Sequence, residues 1–184
     1  EGVLGRVAAA GAMERFCKGI VGAVAPYVVA GKPQVAFFEA LGSDGWQALE
    51  AVSRYASEAG LLVIADAKRG DIGSTARAYA AAFLEPRGAE PPLADALTVN
   101  PYLGFGSMQP FLDAASAHGG GVFIVAMTSN PEGPQVQHAV AADGRTVAQS
   151  LLDEIAARNE GVQPLGSVGA VIGATTGPTG HDLS

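Results

Sequence analysis

The chain has 184 residues, 48% hydrophobic and 16% charged, enough to bury one core and unlike a disordered tail or a fibre. Its formal net charge of -7, without the Lys and Arg clusters that neutralise phosphates, excludes nucleic acid as a partner but not a small phosphate held by a few local donors. There is no apolar run of about 18 residues and the chain opens on Glu1 rather than a basic leader, so the expectation is one globular domain, residues 1–184, with no membrane span, in the cytoplasm.

In chain order, Phe16, Ile20, Val21 and Val24 recur with helical spacing and predict a helix over residues 14–25, ended by Pro26. Cys17 lies in that run and reads as a buried helix position; as the single cysteine it can form no internal disulfide. Residues 27–30 form a short β-prone run leading to Lys32-Pro33-Gln34. A second helix is predicted from Asp44 to Ala59, with Ser43 as its N-cap and Gly60 as a left-handed terminator. Residues 61–65 make an unbroken apolar strand, residues 66–75 a polar turn, and an Ala-rich helix then runs to about Glu85. After a return loop at 86–92, strands are predicted at 96–99, 121–126 and 168–172, with helices at 107–118 and 147–159.

Unbroken apolar strands are covered on both faces, and their alternation with helices predicts a parallel α/β sheet. Five strands fit an open doubly wound sheet or a (β/α)8 barrel. No Gly-x-Gly-x-x-Gly follows the first strand, and Lys32, Asp66, Lys68, Asn100 and Thr128 to Asn130 fall just past strand ends, where barrels carry their chemistry. The expected fold is therefore an α/β (β/α)8 TIM barrel, incomplete in this chain, with about five strands visible and both ends lacking.

Asp66 and Lys68 are two residues apart, so on an extended strand end they share a face. A lysine held close to carboxylates is stabilised as ammonium, unless desolvation acts more strongly in the opposite direction, and an ammonium can donate a proton. Asp71 follows by three and Thr75 by four more, which would align those two if the helix has already begun. On spacing alone, Asp-x-Lys is equally the pattern of a surface ion pair.

The string Asp66-Ala67-Lys68-Arg69-Gly70-Asp71-Ile72-Gly73-Ser74-Thr75 resembles the signature of the bacterial subgroup of orotidine 5'-monophosphate decarboxylases, Asp-x-Lys-Arg-Gly-Asp-Ile. The resemblance extends to Lys32-Pro33-Gln34 with Phe37-Phe38-Glu39, to Thr98 through Ser107, and to Thr128-Ser129-Asn130-Pro131-Glu132-Gly133. It implies decarboxylation of orotidine 5'-monophosphate to UMP without a metal or other cofactor. It also implies a charged network of Lys32, Asp66, Lys68 and Asp71, with Lys68 protonating C6. In a homodimer, Asp71, Ile72 and Thr75 would reach the partner's site, with Ser129 on the pyrimidine and Thr128 as the near alternative.

The family also has an aspartate at the end of its first strand and a late glutamine and arginine for the substrate phosphate, none of which has a counterpart here. Gly31 and Met127 stand where a bulkier apolar residue and a basic one are expected. One competing expectation is a magnesium-dependent sugar-phosphate decarboxylase or synthase of the same superfamily, with Glu39 as the available extra ligand; another is an inactive, truncated dimerising relative. His118, His138 and His181 lack ligand spacing.

Overall fold

The computed structural model describes residues 3–174, and its strands follow one another in the sheet in chain order, β1 to β5. The elements are α1 (Val3–Val24), β1 (Ala30–Gly31), α2 (Val35–Glu39), α3 (Gly42–Glu58), β2 (Leu62–Arg69), α4 (Gly73–Leu84), β3 (Ala96–Val99), a 3-10 turn (Phe105–Met108), α5 (Gln109–His118), β4 (Gly121–Met127), α6 (Pro134–Gln137), α7 (Val147–Asn159) and β5 (Val168–Ile172). The described chain divides into two compact units, one of residues up to 67 with 81–97, the other of 68–80 with those from 98 onward.

In the first unit, α3 lays its buried stripe of Ala48, Leu49, Val52 and Ala56 against α1 and α2. Gly45 is required there, because a Cβ would lie 1.9 Å from the Phe38 carbonyl oxygen. Trp46 meets Phe83 edge-on at 5.7 Å. β1 pairs parallel with β2 in the register Ala30 to Leu62 and Gly31 to Val63, extended by a bridge between Gln34 and Asp66. A cavity of about 200 Å³ between α1, α3 and these strands is lined by Phe16, Cys17, Val24, Gly31, Lys32 and Val52, among others.

In the second unit, β4 and β5 pair parallel from Val122 and Val168 upward, with a bulge between Val125 and Met127. α5 and α7 cover β4, burying Phe111, Leu112, Leu151, Leu152 and Ile155 with Ile124 and Ala126. Gly119, left-handed at φ 71°, closes α5, and the Thr146 hydroxyl opens α7 by accepting from the Gln149 N–H at 3.1 Å.

Several expectations shift. The chain leaves α1 through turn bonds at Ala25 and Tyr27, so the predicted strand at 27–30 begins only at Ala30, and Tyr27 and Val29 are exposed. Ser43 is not a cap: α3 starts at Gly42 behind Leu41, because the backbone N–H groups of Ala40 and Leu41 are taken by α2 carbonyls. Gly60 has the expected positive φ. Residues 66–69, expected in a turn, stay in β2, held by the Asp66 N–H to the Pro33 carbonyl and by the Arg69 carbonyl, which accepts from the Asn100 N–H. α4 begins at Gly73, after Asp71, so the helical alignment of Asp71 with Thr75 does not arise. The first residues of the predicted 107–118 helix belong to the 3-10 turn. Cys17 is half-buried rather than buried, and its partial burial raises the thiol pKa. Among the described residues no helix is long and apolar enough to cross a membrane.

Candidate functional site

The first unit supplies an ion pair between the residue that follows β1 and one inside the neighbouring β2. Lys32 follows β1 directly, and its Nζ binds Asp66 Oδ2. The two partners differ in environment, since the Asp66 side chain is 7% exposed and that of Lys32 53%. A carboxylate withdrawn from water is tolerated only where cations and donors replace its hydration. Gln34 adds a weak second donor, its Nε2 lying 3.4 Å from the same oxygen. The spatial role of Gln34 could not be read from Lys-Pro-Gln; it arises because the chain bridges back onto β2 at that residue.

In the second unit Lys68 has φ 48°, the only non-glycine described residue with a positive φ. An L-residue in that conformation costs about 1–2 kcal/mol. The two-residue alternation of a strand stops there, so its exposed side chain is aimed by a left-handed backbone and not by the pleat. The Lys68 N–H donates to Thr98 Oγ1 at 2.9 Å. Just beyond, a Cβ on Gly70 would lie 2.5 Å from the Asn100 carbonyl oxygen, so the two chain segments touch backbone to backbone. Asn100 Oδ1 in turn accepts from the Tyr102 N–H at 3.0 Å, closing a local turn.

Asp71 is half-buried and accepts from the Ile72 N–H at 2.7 Å, while Ile72, at 62% exposure, and Thr75 face solvent.

Past β4, the Thr128 N–H donates to Gln137 Oε1 at 2.9 Å and the Gln137 amide donates back to Thr128 Oγ1 at 2.7 Å. The Thr128 hydroxyl donates to Asn130 Oδ1 at 2.6 Å, and the Asn130 amide donates to Glu132 Oε2 at 2.9 Å. That amide, with help from its own backbone, holds the Glu132 carboxyl below the usual range. Gly133 fits because a Cβ would crowd Gln137 and Thr128 at 3.0 Å, and Gly173 because a Cβ would stand 2.9 Å from the Ser129 nitrogen. Ser129 is exposed on a loop fixed on both sides. Gln137 was not among the candidate residues; on α6, a single exposed turn, no periodicity marks it.

Glu39 is exposed at the end of α2, as are His118 and His138; His181 lies outside the described residues. Among the described residues no three His, Cys, Asp or Glu side chains gather in a way that could hold a metal ion.

The comparisons agree with one another. Orotidine 5'-phosphate decarboxylases from Salinispora arenicola and Streptomyces coelicolor are 56% and 54% identical over 172 residues, 94% and 93% of this chain and 61% of each relative. A crystal structure from Streptomyces avermitilis matches with TM-score 0.87 and 53% identity, covering 93% of this chain and 60% of the other. OMP decarboxylase of Leishmania donovani matches with TM-score 0.76 and 36% identity, over 90% and 61%. The chain thus spans about three fifths of the length of these relatives, and its five strands are part of their (β/α)8 barrel fold. Residues 12–183 match the model of the orotidine 5'-phosphate decarboxylase / HUMPS family, and this chain belongs to that family.

Proposed function

We propose that this protein converts orotidine 5'-monophosphate to UMP, as a single barrel domain acting in the cytoplasm without a cofactor, with Lys68 as the proton donor. The observation that carries the reading is the Lys32–Asp66 ion pair, a desolvated carboxylate two residues before an exposed lysine on the same strand. In the reaction the bond from C6 to the carboxylate breaks, its electron pair stays on C6, and CO2 leaves. The Lys68 ammonium then gives a proton to C6, forming UMP, and the amine is reprotonated from solvent. The pair on C6 is poorly delocalised by the ring, so a fixed ammonium is attracted more strongly to the transition state than to the substrate. Lys32 and Asp71 complete the charged network, and Asp66 stands by the departing carboxylate.

Ser129 contacts the pyrimidine in this reading, with Thr128 as the alternative, and the doubly anchored Thr128 favours a loop that keeps one shape. The exposure of Ile72 and Thr75 favours their use by a second copy in a homodimer, with Asp71. The gene product carrying this sequence, purified and given orotidine 5'-monophosphate with EDTA present, is expected to consume it by absorbance. Lys68→Ala should reduce the rate by at least about 10²–10⁴-fold. Mixing inactive Lys68→Ala and Asp71→Ala subunits should regain activity, because one site of each hybrid then holds both native residues. Chelator-sensitive turnover would favour the magnesium-dependent alternative, and hybrids without activity would remove the shared site.

A further inference from the structure

Strand β3 reads Ala96-Leu97-Thr98-Val99 and is buried throughout, so a hydroxyl there is out of place unless it has a task. Thr98 is 2% exposed, and its Oγ1 accepts the Lys68 N–H at 2.9 Å. Lys68 is the residue whose backbone departs from the strand at φ 48°. In a regular parallel ladder a strand N–H goes to a backbone carbonyl. Here it goes to a side chain, and the left-handed residue keeps a partner for its N–H. One residue on, the Asn100 N–H donates to the Arg69 carbonyl at 2.7 Å, and Gly70 lies against Asn100. The bend is thus bounded by backbone contacts on one side and set by one hydroxyl at its centre.

We infer that Thr98 is the positioning residue for Lys68: its hydroxyl holds the left-handed backbone turn from which the lysine ammonium is aimed. The inference rests on Lys68 being the proton donor proposed above, but its structural half stands without it. Valine has the shape of threonine without the acceptor. Thr98→Val therefore keeps the side chain's volume in β3 and takes away the acceptor of the Lys68 N–H. Serine keeps the acceptor. Displacements of about 1 Å at a reacting group can cost about 10²-fold in rate.

The test compares the gene product with Thr98→Val, Thr98→Ser and Val99→Ala variants, the last a buried neighbour in the same strand whose side chain carries no hydrogen-bonding group. Exchange of the Lys68 amide proton, followed by NMR, is expected to be slow in the native protein and the serine variant and at least about tenfold faster in the valine variant. For orotidine 5'-monophosphate, kcat should fall about 10- to 100-fold in Thr98→Val with KM within about threefold, and return to within about threefold of native in Thr98→Ser. Val99→Ala should lower the melting temperature without that selective loss of kcat. A Lys68 amide equally protected in Thr98→Val overturns the inference, as does a valine variant with native kcat or one matched by Val99→Ala. If the native protein does not turn over the substrate, the functional reading fails, and amide exchange alone decides the structural half.

Discussion

Removing the exposed partner of the Lys32–Asp66 pair should damage the fold more than neutralising the buried one. Asp66→Asn keeps the side chain's shape and an acceptor for Gln34, and releases a lysine that is already 53% exposed into water. Lys32→Met takes the Lys32 ammonium away from a carboxylate that is only 7% exposed. Stripping a partner from a fully buried pair costs about 3–5 kcal/mol, whereas fully exposed pairs contribute about 0.2–1. With one partner in each environment, Lys32→Met should cost about 2 kcal/mol and Asp66→Asn about 0.5 or less. Urea denaturation at neutral pH reads the difference directly, since about 2 kcal/mol moves the midpoint by about 1 M at a typical slope. Asp66→Asn proving as harmful as Lys32→Met, or more so, would refute the assignment of Asp66 as the desolvated partner.

Gly70→Ala puts a methyl 2.5 Å from the Asn100 carbonyl oxygen, so the chains must part by at least about 0.5 Å; a loss of about 1–3 kcal/mol is expected in urea melts. Gly106→Ala, with open space around its Cβ and no positive φ, should change stability by less than about 0.5 kcal/mol. Gln137→Leu removes the two bonds between Gln137 and Thr128, and calorimetry should show weaker binding of UMP with binding of ribose 5-phosphate unchanged, because Ser129 is assigned to the base. Gln137→Glu retains the acceptor for the Thr128 N–H and should lose less. Hydrogen bonds from Arg145 hold the exposed Asp143 carboxyl below the usual range, so its contribution is present above that range and disappears as acid protonates it. Melting temperatures followed from about pH 5 to pH 2 should fall more steeply for the native protein than for Arg145→Gln, and salt should shrink the gap.

What the sequence made legible follows from how strongly burial constrains each segment. The apolar runs at 61–65, 121–126 and 168–172 read as strands, and strands stand at 62–69, 121–127 and 168–172, although Leu62 is exposed and most of β5 is only half-buried. Helix α7 occupies the predicted residues 147–159, while its Thr146 cap emerges only in the structure. By contrast β1 is two residues long and α2 five, too short for either period to register. The ion pair of Lys32 with Asp66 was expected from the family resemblance; the left-handed turn at Lys68 was not, because its cause sits 30 residues away in the Thr98 hydroxyl. Gln137 escaped for the same reason, its partner Thr128 being nine residues back across a turn that looked ordinary.

The backbone at Lys68 sets two selective pressures against each other. Glycine or asparagine would sit in that left-handed conformation with less strain, so a library of variants sorted only for thermal resistance should drift toward them at position 68. Under the chemistry proposed here, each such winner is a dead enzyme. A lysine retained at this position under heat selection alone would mean that the surrounding structure compensates the local strain in full, whereas its recovery only when growth depends on turnover would locate the reason for it in catalysis.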